Sequence, residues 1–164
     1  MQRFSFNEAN VKKIIFLFCG RFIKEKGILD FCKTAKKVKE IYPSATFIIA
    51  GNFDDNPSTL KQSDLAYYIE NKYIENLGYV EDIASLIDKC SVFILPSYRE
   101  GMPRSTLEAM ASGRAIITTN VPGCKETVIN GQNGFLVEKK DVNAMVKKCL
   151  YFFENKDEII KMGI

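Results

Sequence analysis

The fold that this sequence predicts is α/β: a doubly wound parallel sheet with helices on both faces. Short apolar runs alternate regularly with longer amphipathic stretches, the pattern of buried strands joined by crossover helices. Several runs stop at a glycine or proline, as at Gly20, Gly51 and Pro96. The length, 164 residues, suffices for one hydrophobic core and is too short for two ordinary domains.

The elements follow in order. Ile14–Cys19 reads as a buried strand ended by Gly20. Ile28, Phe31, Cys32, Ala35, Val38 and Ile41 recur at helical spacing, and Pro43 marks the stop. Thr46–Ala50 is a second strand, followed by a polar loop over Asn52–Pro57. A helix from Ser58 to Asn71 and a short strand near Tyr73–Leu77 come next. Glu81–Lys89 reads as a short helix and Val92–Leu95 as a buried strand ended by Pro96. A helix over Thr106–Ser112 starts at Pro103, because proline suits the first helical turn. Ala115–Thr118 is a strand, Gly123–Ile129 a short helix, and Phe135–Val137 a last strand. Asp141–Phe153 and Asp157–Met162 read as closing helices.

Composition excludes several function classes. With 23 basic and 20 acidic residues, the net charge of +3 is too small to argue for nucleic acid. There is no histidine, so an imidazole base, ligand or triad member is excluded from this chain. The five cysteines form no CxxC pair and read as free thiols of a reducing, cytoplasmic compartment rather than as metal ligands. The longest apolar stretch is far shorter than the roughly 20 residues a membrane-spanning helix needs.

In parallel α/β sheets ligands bind outside the carboxyl ends of the strands. After the first strand comes Gly20–Gly27, in which Arg21 and Lys26 stand between a strand end and a helix start. Two cations there can clamp a diphosphate, although read alone the segment fits an ordinary basic loop equally well. Neither GxxxxGK[ST] nor GxGxxG is present. After Val92–Leu95 the chain reads Pro96 to Gly113, with Glu100 in the loop and Glu108 among small and apolar helix residues. A carboxylate in such company is costly to bury without a partner, and a ribose diol would satisfy its two oxygens. Gly101 leaves the backbone open to a ligand, and the first amides of the helix, at Arg104 and Ser105, can face a phosphate.

This stretch resembles the paired-glutamate motif of the family-4 (group 1) glycosyltransferases. Glu100 and Glu108 have the motif's spacing, and Gly101-Met102-Pro103 and Leu107–Gly113 match its surroundings. Gly20-Arg21 through Lys26-Gly27 resembles the family's donor-diphosphate clamp, and Ala50-Gly51-Asn52 its loop after the second strand. Gly78-Tyr79-Val80 resembles the loop that holds the base, and Pro122–Val128 and Asn130–Val137 its late turns. The likeness runs from about Lys13 to Met162.

The resemblance implies the Rossmann-like donor-binding half of a two-domain GT-B enzyme, spanning 1–164, with the acceptor-binding domain outside this chain. Arg21 and Lys26 would hold the pyrophosphate, and Glu100 would hold hydroxyls of the donor sugar. Glu108 would bind the ribose. Gly101, Met102, Pro103, Arg104 and Ser105 would contact sugar and phosphate, with Gly20 and Asn52 beside them. Gly78, Tyr79 and Val80 would contact the base. For Gly123 and Glu126 a structural turn is at least as good a reading.

The implied reaction is hexose transfer from a nucleoside diphosphate sugar, with uridine the favoured base, and with retention of configuration. It needs no metal, since the two cations do that work, and Asp54-Asp55 reads as a turn rather than a metal-binding pair. The resemblance further implies bacterial capsular, O-antigen or lipid-linked glycan synthesis, with a lipid-linked acceptor reached at the inner membrane face through the missing domain. The chain alone is expected to bind donor without turnover and to expose apolar surface. Two other readings stand beside this one. The first is a separate nucleotide-sugar-binding subunit that completes another protein. The second is a dinucleotide domain, against which the lack of GxGxxG counts.

Overall fold

Six parallel strands form one sheet in the order β3-β2-β1-β4-β5-β6. They are β1 (Ile15–Cys19), β2 (Thr46–Ala50), β3 (Glu75–Asn76), β4 (Val92–Leu95), β5 (Ala115–Thr119) and β6 (Gly134–Val137). The helices are α1 (Ile28–Ile41), α2 (Gln62–Glu70), α3 (Ile83–Lys89), α4 (Arg104–Ala111), α5 (Val142–Glu154) and α6 (Lys156–Gly163). A 3-10 turn at Lys24–Lys26 precedes α1. The computed structural model describes residues 6–9, 11–101 and 103–164.

The sheet grows outward from β1 in one direction and from β4 in the other, so its strand order reverses between them. Right-handed crossovers running in opposite directions place α1 and α4 on opposite faces of the sheet. Both faces are therefore covered, and β1, β4 and β5 are almost wholly buried, as their continuous apolar runs require. Phe16 of β1 stacks on Phe47 of β2 at 4.7 Å, and Phe31 of α1 closes over Phe47 and Phe18. The reversal leaves a crevice at the carboxyl ends of β1 and β4, where the loops carrying the candidate residues emerge.

Several sequence expectations change. Helix α4 starts at Arg104 with Pro103 outside it as the N-cap, and β3 is only Glu75–Asn76. Helix α2 starts at Gln62, because residues 58–60 spend their backbone bonds elsewhere. Lys24 N–H donates to Ser58 O, Leu60 N–H donates to Phe22 O, and Thr59 bridges Ile23, so this segment pins the loop after β1. Helix α3 starts at Ile83, since Asp82 caps it by accepting from Ser85 N–H. No helix forms over 123–129; residues 122–127 make turns in which Glu126 Oε2 accepts from Gly123 N–H at 2.9 Å. Ile41, on the last turn of α1, is 58% exposed instead of inward.

Arg114 is 1% exposed and has no carboxylate partner among the described residues. Its guanidinium donates to the carbonyls of Ile87 and Asp88 at the end of α3 and of Ser112 and Gly113 after α4. It also donates to Asn7 through both the backbone and side-chain oxygens. Helix ends present unpaired carbonyls and partial negative charge, which a buried planar cation satisfies. The five cysteines are all buried and free. No helix among the described residues is long and apolar enough to cross a membrane.

Candidate functional site

Two left-handed glycines set the loops around the crevice. Gly27, at φ 72°, ends the turn that carries Lys26, and a Cβ there would lie 1.9 Å from Pro96 O. Only glycine lets the loop after β1 approach the exit of β4 so closely. Tyr98 N–H then donates to Glu25 O at 2.8 Å, joining the two loops. Gly123, at φ 90°, lies against the Glu100–Gly101 backbone, where a Cβ would sit 2.5 Å from both carbonyl oxygens.

With the loops so held, Lys26 Nζ lies 2.8 Å from both oxygens of Glu100. The Glu100 side chain is 8% exposed and also accepts from Ser97 Oγ at 2.9 Å. Arg21 reaches Asp54 at 3.4 Å with 55% of its side chain in solvent, so the contact is weak and the guanidinium is available to a ligand. Asp54 is committed locally: its Oδ1 accepts from Asn56 N–H and Thr59 Oγ1, which hold its carboxyl below the usual range, with Arg21 adding to the effect. Asp55 lies at a bend, and the hydrogen-bonded turn itself forms at Pro57 and Ser58, closed by Thr59 N–H on Asn56 O.

Arg21, Lys26, Glu100 and Glu108 all line one cleft of about 670 Å³. Gly20, Asn52, Tyr79, Val80, Pro103, Arg104 and Ser105 line it with them. Gly101 lines an adjoining hollow of about 570 Å³ that shares Arg21, Lys26 and Glu100 with the first. Gly78 lines neither; its carbonyl accepts from Gly51 N–H at 2.8 Å and so ties the loop at 78–80 to the end of β2. Met102 lies outside the described residues. Tyr79 stands at the cleft with 73% of its surface exposed.

Burial raises the Glu108 carboxyl above the ordinary glutamate range, and the Arg104 charge opposes the rise. Cys19, on the cleft floor, is pushed up by burial and then by Cys90 and the Glu108 charge, which keeps it a neutral thiol unsuited to attack. At the start of α4, Pro103 provides no side-chain cap, and Leu107 N–H bonds back to Pro103 O. The first-turn amides therefore point out of the helix at the cleft wall, where Arg104 and Ser105 stand.

Glu81 and Ile83, which follow the Gly78–Val80 loop, also line the cleft, and Gly123 lies against the Glu100–Gly101 backbone, so the turn reading of that glycine serves the site. Sequence reasoning assigned no role to Ser97, which holds Glu100 from behind. The available signal for Ser97 is a hydroxyl at a strand exit three residues before an acid. The contact of Gly123 with the Glu100–Gly101 backbone joins loops from two different strands, so the sequence signals the turn and not what it packs against.

The family model described as "Glycosyl transferases group 1" matches residues 13–155. The chain belongs to this family.

Among the relatives of this chain is the N,N'-diacetylbacillosaminyl-diphospho-undecaprenol alpha-1,3-N-acetylgalactosaminyltransferase of Campylobacter jejuni, 32% identical over 153 residues. That match covers 93% of this chain and 38% of the relative, so the chain spans well under half of that protein. Solved structures share the fold, two of them as follows. A variant of S. aureus TarM, crystallised with UDP, alpha-GlcNAc-glycerol and fondaparinux, superposes with a TM-score of 0.86 at 21% identity over 97% of this chain and 32% of its own. The C-terminal domain of the group 1 family protein LpcC from Francisella tularensis gives 0.82 at 24% identity, over 98% of this chain and 90% of its own. The six-stranded fold is thus that of the C-terminal domain of GT-B glycosyltransferases.

Proposed function

We propose that this chain is the donor-binding half of a retaining hexosyltransferase that uses a nucleoside diphosphate sugar, with UDP as the favoured nucleotide. The observation that carries the reading is the convergence of Arg21, Lys26, Glu100 and Glu108 on one cleft at the point where the strand order reverses. The complex of TarM with UDP supports the choice of nucleotide.

In this reading the pyrophosphate lies against Arg21, Lys26 and the first amides of α4. Glu108 accepts the ribose hydroxyls, Glu100 accepts from the sugar, and the loop at Tyr79 and Val80 borders the base. As the glycosidic bond breaks, negative charge grows on the leaving phosphate, where these fixed cations and dipoles stand ready. Such preorganised donors are typically the largest catalytic term, and loss of one costs roughly a hundredfold in rate. They supply the charge that a divalent metal supplies elsewhere, so transfer is metal-independent. The leaving phosphate assists the acceptor hydroxyl on the same face of the sugar, which gives retention without an enzyme nucleophile.

The acceptor is held by a second domain outside this chain, and the chain alone binds donor without turnover. The diphospho-undecaprenol in the relative's name supports a lipid-linked acceptor, met by the complete enzyme at the cytoplasmic membrane face in surface glycan synthesis. Calorimetry with UDP, GDP and ADP sugars tests the reading. One nucleotide is expected to bind, with Arg21→Ala and Glu108→Ala each weakening it by about tenfold or more, the worth of one charged hydrogen bond. Failure of all three to bind, or binding indifferent to both substitutions, would overturn it. Sugar transfer by the purified chain would overturn the claim that it lacks turnover.

A further inference from the structure

Behind Glu100 lies a hydroxyl relay that the motif does not include. Ser97 is fully buried just past the end of β4, and its Oγ donates to Glu100 Oε2 at 2.9 Å. Its own carbonyl accepts from Thr119 Oγ1 at 2.6 Å. One residue earlier on β5, Thr118 Oγ1 donates to Leu95 O at 2.8 Å. The ladder between β4 and β5 ends at the pair of Leu95 and Thr118. Beyond that pair, side-chain hydroxyls of β5 take over from ladder bonds in holding the chain that leads to Glu100.

An ionised carboxylate has about four acceptor positions, two on each oxygen. Lys26 occupies one on each oxygen, and Ser97 occupies the second on Oε2. Among the described residues, no second donor reaches Oε1. Burial makes this arrangement hard to exchange, since an uncompensated carboxylate oxygen in a protein interior is expensive.

We infer that Ser97, braced by Thr119, is a positioning residue that turns Glu100 so that Oε1 alone is offered to the ligand, and thereby makes the site prefer a sugar-bearing nucleotide over the bare diphosphate. The inference rests on the reading of Glu100 as the acceptor for sugar hydroxyls. It differs from a packing role in what it predicts, because a residue that only stabilises the fold weakens every ligand alike.

The test compares dissociation constants for the tightest-binding nucleotide sugar of the panel above and for its nucleoside diphosphate. In Ser97→Ala the nucleotide sugar is expected to weaken by about tenfold, while the diphosphate stays within about twofold. Ser97→Thr, which keeps the hydroxyl, is expected to restore most of the difference. Equal weakening of both ligands, or no change in either, would overturn the inference while leaving the donor-site reading intact. If Ser97→Ala loses its cooperative melt, Thr119→Val replaces it, with the same split expected at about threefold, and an unsplit response there overturns the inference too. Failure of the unaltered chain to bind any nucleotide sinks the donor-site reading and this inference with it.

Discussion

Lys26 and Glu100 stand 74 residues apart in the sequence, yet the ammonium of one lies 2.8 Å from both carboxylate oxygens of the other. The pair joins the loop after β1 to the loop after β4, across the point where the sheet changes direction. It brings the proposed diphosphate and sugar contacts into one unit, so a change at either residue disturbs the other.

Removing one partner of this pair leaves a charge in a poorly hydrated place. With Glu100 8% and Lys26 20% exposed, solvent screening softens the penalty relative to a fully buried pair. Lys26→Met is expected to cost about 1–3 kcal/mol in urea unfolding. Lys26→Met with Glu100→Gln is expected to recover part of that loss of stability while donor binding stays weaker than in the unaltered chain. Additive losses in the double-mutant cycle would show that the pair is not coupled.

Glu108 has a raised carboxyl pKa because burial disfavours its charge. Between its ordinary and raised values the folded chain holds more protons than the unfolded one, so this group's contribution to stability falls as pH rises through that window. Ligand binding runs the opposite way, since a ribose diol donates to the carboxylate and not to the acid. Donor affinity is therefore expected to weaken on acidification at a pH above the ordinary glutamate range. Glu108→Gln should bind weakly with that step gone. An unchanged step in calorimetry of the Gln variant would assign it to another group.

Gly123 and Gly131 both have left-handed backbones, at φ 90° and 85°, but only Gly123 presses on the Glu100–Gly101 carbonyls; a Cβ at Gly131 would meet nothing within 4 Å. Gly131→Ala is expected to cost about 1–2 kcal/mol from backbone strain alone, with donor affinity unchanged. Gly123→Ala should cost more and also weaken the nucleotide sugar by pushing the Glu100 loop. Equal behaviour of the two variants in melting and binding would contradict this.

Arg114 satisfies carbonyls at the ends of α3 and α4 together with Asn7. Arg114→Met keeps much of the volume but leaves buried acceptors unpaired, at an expected cost on the order of 3 kcal/mol or more. Arg114→Lys should recover only a minor part, because an ammonium cannot span the same fan of oxygens. The denaturant midpoints of the two variants measure this, and a loss below about 0.5 kcal/mol for Arg114→Met, the usual range of a surface change, would contradict it.

The sequence by itself determined the α/β class, the bounds of most strands and helices, and the stretches that hold the chemistry. These are local properties: an apolar run such as Val92–Leu95 is a buried strand wherever it pairs, and Pro96 ends it regardless of neighbours. The family resemblance likewise rested on contiguous stretches. Where local signals competed with distant partners, the sequence was silent. Residues 58–60 look helical but serve the loop at 22–24. The segment 123–129 looks like a short helix but is held in turns, against the backbone of Glu100. The resemblance implied that Arg21, Lys26, Glu100 and Glu108 face one donor, and the cleft brings them together. Only the tertiary structure decided that Lys26 meets Glu100 directly and that Ser97 stands behind it. The order of the strands sets those distances, and strand order is a property of pairing between remote segments that no single stretch of chain encodes.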